Sequence, residues 1–156
     1  MHPRAEQFRD RVRERLDFDI DPEEFPEGTK TAADAAAAIG CDVSQIASSI
    51  VFVAGDQPVV VVTSGANRVD EATLAAVLDE DDARTASPEE VREATGYAIG
   101  GVPPFAHDGE VPTYIDETLL DHERVWAAAG TPEAVFPIVP ERLRELAGAE
   151  PVDVTG

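Results

Sequence analysis

The chain has 156 residues, 43% of them hydrophobic, enough to enclose one core and too few for two domains of ordinary size. Its 32 acidic residues against 12 basic give a formal charge of −20, a halophilic balance suited to salt near 1 M, where the Debye length is about 3 Å. That charge disfavours phosphate contacts, although a surface adapted to salt says little about partners, and the lack of a membrane-length apolar run, a signal-peptide core or a second cysteine beside Cys41 predicts a soluble cytoplasmic chain with no metal site and no disulfide.

Ala5, Phe8, Val12 and Leu16 recur at helical spacing, so residues 3–16 read as an amphipathic helix with its arginines turned outward. Five arginines against Glu6, Asp10 and Glu14 leave the first sixteen residues at +2, a modest positive pole. "DFDIDPEEFPEG" (17–28) reads as an extended edge segment broken by prolines. Thr31, with Asp34 three residues on, opens the alanine-rich helix "TAADAAAAIG", which stops at Gly40. The apolar runs 48–54 and 59–63, joined by "GDQP", form a strand-turn-strand unit, and their lack of alternation predicts strands covered on both faces.

Asp70 caps a helix at "EATLAAVLDED". The cluster Asp79, Glu80, Asp81 and Asp82 lacks the spacing and glycine of a calcium loop and reads as a solvated turn. "SPEEVREATG" carries a capping box, with Ser87 as cap, Pro88 at the first position and Glu90 at the third. "YAIGGVPPFAHDGEVP" is rich in Gly and Pro yet contains Tyr, Ile, Val and Phe, so it is a packed and positioned loop. "TYID", "RVWAAA" and "AVFPIV" read as further strands, "ETLL" as a short helical turn and "PERLRELAG" as a closing helix. Strands and helices alternate without a βαβ rhythm, which predicts an α/β (α+β) fold: one compact domain over residues 1–156, with a mixed sheet surrounded by helices.

The chain has no GxSxG elbow, Walker A loop, GxGxxG or HExxH. Nothing in its spacing sets His107 or His122 against Ser48 for a serine triad. Gly100 and Gly101 before the rigid Pro103-Pro104 allow backbone N–H groups to converge on a carbonyl or oxyanion; an ordinary turn is the other reading. Asp116, at a strand end, either binds an amino group or caps the turn that follows.

Six segments, "TAADAAAAIG", "QIASSIVF", "VTSGANRVD", "TGYAIGGVPPF", "VPTYIDETLL" and "VWAAAGTP", resemble in order and spacing the YbaK/ProX family, free-standing relatives of the editing domain inserted in bacterial prolyl-tRNA synthetases. The resemblance runs from Thr31 onward. It implies a partly barrel-like mixed sheet, hydrolysis of mischarged aminoacyl-tRNA at the terminal adenosine, and no metal or organic cofactor. It implies as partners the aminoacyl-tRNA acceptor end and a synthetase. Chemistry in the relatives relies on a water and a hydroxyl of the substrate's own ribose, with a Gly-x-x-x-Pro loop, here Gly100 to Pro104, holding the ester carbonyl.

One position departs from the pattern. The family strand begins Gln-Ile-x-Lys-Ser/Thr, and alignment on Gln45, Ile46 and Phe52 puts Ser48 in place of the lysine. Serine carries no charge and reaches several ångströms less far. Arg68 and the N-terminal arginines are candidate substitutes.

The resemblance gives Gly100, Gly101, Ser48 and Asp116 as the catalytic set. Thr31, Ser64, Arg68, Val102, Pro103, Pro104 and His107 are expected around the substrate. The leading reading is a trans-editing deacylase; the alternatives are a non-catalytic tRNA- or aminoacyl-binding module and a hydrolase of a different ester.

Overall fold

The computed structural model describes residues 2–25 and 31–155. The end of the 17–28 segment and Lys30, the sole lysine, lie outside them. Among the described residues, five α-helices pack around one eight-stranded mixed sheet that does not close.

The centre of the sheet is the predicted hairpin, β2 (Ile46–Ala54) and β3 (Gln57–Ser64), paired antiparallel from Ala47 with Ser64 to Ala54 with Gln57. Its valines are buried on both faces, as the absence of alternation predicts. Val51, Val53, Val60 and Val62 join the main core, while Phe52, Val59 and Val61 join a second cluster behind the sheet. Beyond β3 lie β5 (Thr113–Asp116) and β8 (Glu150–Val152), both parallel additions. On the other side lie β6 (Val125–Ala128), parallel to β2, then β7 (Ala134–Ile138) and the two-residue β1 (Glu23–Glu24). β4 (Ala83–Thr85) also pairs with β2, antiparallel at Phe52 to Ala54.

Helices fall where caps and periodicity place them: α1 (Pro3–Leu16), α2 (Ala32–Ile39) under a Thr31 cap, α3 (Glu71–Val77) under Asp70, α4 (Pro88–Thr95) and α5 (Pro140–Ala147). The Ser87 capping box forms as read, and Glu90 also takes both arms of the Arg84 guanidinium at 2.8 Å. That pair holds the Glu90 carboxyl down to about 2 and ties β4 to α4.

Three expectations shift. β2 begins two residues earlier than the apolar run, because a capped 3-10 turn at Val43–Gln45 delivers the chain directly into the ladder. β4 and β8 form in segments with no strand pattern, drawn in by neighbours whose edges would otherwise stay open. The arginines of α1 are not all turned outward: Arg11 and Arg15 bond to carbonyls of the 97–107 loop, which approaches the helix closely.

Candidate functional site: a cleft at the broken edge of β2

β2 has an unbroken partner in β3, but its other edge is shared between two short strands. β6 reaches only Ile46 and Ala47, and β4 only Phe52 to Ala54. Between them no strand among the described residues pairs with Ser48, Ser49, Ile50 or Val51 on that side. Peptide direction alternates along a strand. Ile46 turns its carbonyl toward β3, accepting from Gly65 N, whereas Val51 turns its carbonyl the other way, to Ala86 N at 3.0 Å. Ser49 has the orientation of Val51, so its N–H and C=O open into the gap.

A cleft of about 370 Å³ occupies this gap, within the size range of small-ligand sites. Because β2 side chains alternate across the sheet, the cleft has two ends. One is walled by Val51, Ala86, Val91 and Val102, all from the main core. The other is walled by Ala32, Ala35, Ile46 and Trp126, which pack together around α2, with Thr31 beside them. Ser48, on the face of Ile46, and Gly100 also line the cleft, and the half-exposed Ile99 stands at the mouth. No lining residue among those described is charged. Nor does any group of His, Cys, Asp or Glu among them have the geometry of a metal site.

Thr31, Ser48, Gly100 and Val102 therefore share one cleft. Gly100 has φ +87°, the conformation a type II turn requires at its third residue, and the turn closes through Gly101 N to Ala98 O at 3.0 Å. Gly101 thus spends its N–H inside the turn and does not line the cleft. It is packed against the β6–β7 connection, where an added Cβ would stand 2.8 Å from Thr131 Cα. Pro103 and Pro104 are buried behind the loop and absent from the lining.

The remaining expected residues lie elsewhere. His107 is buried in a second hollow, beside Arg15 and Phe105, with Nε2 2.7 Å from Pro103 O. A carbonyl only accepts, so Nε2 carries the proton. Burial pushes the His107 pKa below its ordinary value, against the Pro103 hydrogen bond, which acts to raise it. Arg68 is exposed on the turn after β3 and does not reach the cleft.

Asp116 lies two strands from Ser48, about 10 Å at ordinary strand spacing, with Thr63 between them. Its Oδ1 accepts from Thr118 N and Oγ1, its Oδ2 from Asn67 Nδ2, Ser64 N and Thr63 Oγ1. Burial opposes its ionisation, but these donors outweigh that and hold it below the usual carboxylate range. A carboxylate saturated this way organises the turn that carries Ser64 and Asn67. Ser64 itself spends its hydroxyl on Ser44 O at 2.9 Å.

Sequence reasoning singled out neither Trp126 nor the Thr85–Val91 segment as site residues. Trp126 is the one tryptophan of the chain, and that rarity was the available signal. Thr85, Ala86 and Val91 enter the cleft only because β4 pairs with β2, which no local pattern announces.

An open mixed sheet whose central strand loses one partner beside a glycine-proline loop defines a small α/β domain with a cleft at a sheet edge. The pattern of the aminoacyl-tRNA editing domain matches residues 26–146, and the chain belongs to that family. It is 37% identical over 129 residues to the uncharacterized protein YwhH of Bacillus subtilis, covering 81% of this chain and 80% of that one. It is 34% identical over 126 residues to the proline–tRNA ligase of Lactobacillus acidophilus, covering 76% of this chain but only 22% of the ligase. The crystal structure of a candidate trans-editing enzyme for prolyl tRNA synthetase superposes with a TM-score of 0.91 at 41% identity, over 100% of this chain and 99% of that one. Among the described residues no helix is long and apolar enough to cross a membrane.

Proposed function

We propose that the chain is a trans-editing deacylase, hydrolysing the ester between a wrongly attached amino acid and the terminal adenosine of tRNA. The observation that carries this reading is the cleft itself: in an editing-family chain, unpaired strand-edge groups and the Gly100 turn meet in an uncharged cavity with two distinct ends. The apolar end at Val51, Ala86, Val91 and Val102 suits a small or medium aliphatic side chain and rejects a charged one, which would lie there unpaired. Ser49 C=O is free to accept from the α-ammonium group. The Trp126 end offers an aromatic face to the terminal nucleoside, since every base has a face that stacks.

In the reaction, water adds to the ester carbonyl carbon and the carbonyl oxygen becomes an oxyanion, met by the backbone N–H groups of Gly100 and Val102, the Gly101 N–H being spent on Ala98. The bond to the ribose oxygen then breaks, the proton lost by the water passes to that oxygen, and free amino acid and tRNA leave. Because no titratable side chain among the described residues lines the cleft, the proton is relayed by the neighbouring ribose hydroxyl, as the family resemblance implies. The lack of a charge at Ser48 also favours a second reading, a module that binds the aminoacyl end without cleaving it.

The test is a panel of mischarged tRNAs, including alanyl- and cysteinyl-tRNA(Pro), incubated with the protein in high salt while released amino acid is measured. Release above background from at least one member is expected; silence across the panel removes the deacylase. Trp126 fluorescence separates the two readings, because binding without cleavage quenches the lone indole while releasing nothing.

A further inference from the structure

The matched family region begins at residue 26, so α1 lies outside it, and the Proposed function assigns its arginines nothing. Their placement is regular. Arg4, Phe8, Arg11 and Arg15 follow one another at helical intervals along one face, and that face is turned to the 96–107 loop. Arg15 Nη1 donates to His107 O at 2.9 Å and Arg4 Nη1 reaches Gly96 O at 3.5 Å. Arg11 Nη1 lies 3.1 Å from Ala106 O, 3.0 Å from Tyr97 Oη and 2.9 Å from Asp108 Oδ1, and its guanidinium covers the Tyr97 ring. Phe8 fills the space between, its ring 6.2 Å from that of Tyr97 and 5.9 Å from that of Phe105.

The loop itself closes on its own ends, Asp108 N donating to Thr95 O at 3.0 Å. At the point where Arg11 grips it, Ala106 has φ +58°, a left-handed conformation that a residue with a Cβ adopts only when its surroundings impose it. Two donors hold its carbonyl: Arg11 at 3.1 Å and the Tyr97 hydroxyl at 3.4 Å. The far side of the same loop is the Gly100–Val102 turn that enters the cleft.

We propose that Arg11 is a positioning residue, and that α1 braces the glycine-proline loop from behind rather than contacting nucleic acid. Arg15 and Phe8 complete the brace. The role in turnover rests on the deacylase reading; the brace does not. Three of the five arginines that form the positive pole donate to loop carbonyls, Arg11 from a half-buried position and Arg4 and Arg15 from exposed ones.

Hydrogen exchange across residues 97–108 tests this in the full chain, comparing wild type with Arg11→Ala, Arg11→Lys and the control Arg13→Ala. Among the described residues the Arg13 side chain bonds only to Asp19, at the surface, so its replacement removes the same charge without touching the loop. Arg11→Ala is expected to speed exchange of the 97–108 amides by about tenfold while β2 and β3 amides keep their rates. Arg11→Lys should fall between, since it keeps the charge and the stem but not the planar fork. If a deacylated substrate is in hand, Arg11→Ala should lower kcat by about tenfold and leave KM within about twofold. Exchange at 97–108 unchanged in Arg11→Ala, or equally fast in Arg13→Ala, overturns the proposal. So does acceleration spread evenly over the sheet in both Arg11 variants, which marks general destabilisation. A chain that deacylates nothing loses the kinetic readout only, and the exchange readout still decides.

Discussion

Gly101→Ala separates packing from conformation in the glycine pair. Gly101 has no left-handed φ, so alanine meets no torsional penalty there; the obstacle is space. The new Cβ would stand 2.8 Å from Thr131 Cα and 3.0 Å from both Thr131 N and Pro132 Cδ. Ordinary contact begins near 3.4 Å, so backbone must part by about 0.6 Å, and overpacking of this kind costs about 1–3 kcal/mol. For a domain of this size each kcal/mol lowers the thermal midpoint by about 2–4 °C, so a fall of roughly 2–12 °C is expected. The relief available is a shift of the turn, which carries Gly100 and Val102 with it. A misplacement near 1 Å in positioned groups costs on the order of 100-fold in rate, so deacylation should drop by more than the stability loss accounts for. Thermal unfolding with single-turnover release of amino acid reads both. A Gly101→Ala protein that melts within about 1 °C of wild type and reacts at the wild-type rate would falsify the reasoning. Gly100→Ala is the contrast: its Cβ would meet Pro132 at ordinary contact distances, Cγ at 3.6 Å and Cβ at 3.9 Å, and its penalty comes from φ +87°, about 1–2 kcal/mol.

Ser87→Ala should cost about 1 kcal/mol in denaturant unfolding, because it removes the cap of α4 that presents Val91 to the cleft; no change would mean the box contributes nothing. Ser49→Ala should stay within about 0.5 kcal/mol of wild type, because its buried Oγ has no partner among the described residues, whereas Ser64→Ala should cost about 1–2 kcal/mol through the lost Ser44 bond. Equal losses in the two serine variants would refute the contrast. His107 is held neutral by burial, with its folded pKa below the unfolded value near 6.5. The unfolded chain therefore binds the extra proton, and stability contributed by neutral His107 is present above that value and lost as pH falls toward the folded one. The stability of wild type relative to His107→Gln should shrink on acidification from pH 7 through that window, and a constant difference would place the imidazole in water.

Most elements were legible because their signals are local. Thr31, Asp70 and Ser87 cap helices where their side chains find free N–H groups a few residues on, and the valine runs of β2 and β3 needed no partner to be seen as buried. The cleft is a different kind of object. It exists because β6 stops at Ala47 and β4 starts at Phe52, and a gap between two pairings has no residue of its own to announce it. Sequence resemblance brought Ser48, Thr31 and the Gly100 turn to attention together. It could not tell that Gly101 N–H is consumed by Ala98, that Asp116 is saturated, or that His107 lines a second hollow.

Alternation along β2 sharpens what the missing lysine would do. Ser48 shares its face with Ile46, whose side chain packs beside Trp126, while Ala47 and Val51 face the apolar end. A side chain at 48 thus points to the end that we assign to the terminal nucleoside, and so toward the phosphate that nucleoside carries, away from the amino acid. Ser48→Lys should then act on binding more than on chemistry. At about 7 Å from a phosphate and an effective dielectric near 20, the attraction is roughly 2.4 kcal/mol, and salt screening leaves about 1–1.5 kcal/mol of it. That predicts a KM lowered about tenfold at low salt, an advantage that fades as salt rises, and a kcat within about twofold. Steady-state deacylation at two ionic strengths reads all three. A Ser48→Lys protein that gains in kcat at unchanged KM would put position 48 beside the reacting ester, and the two ends of the cleft would have to be exchanged.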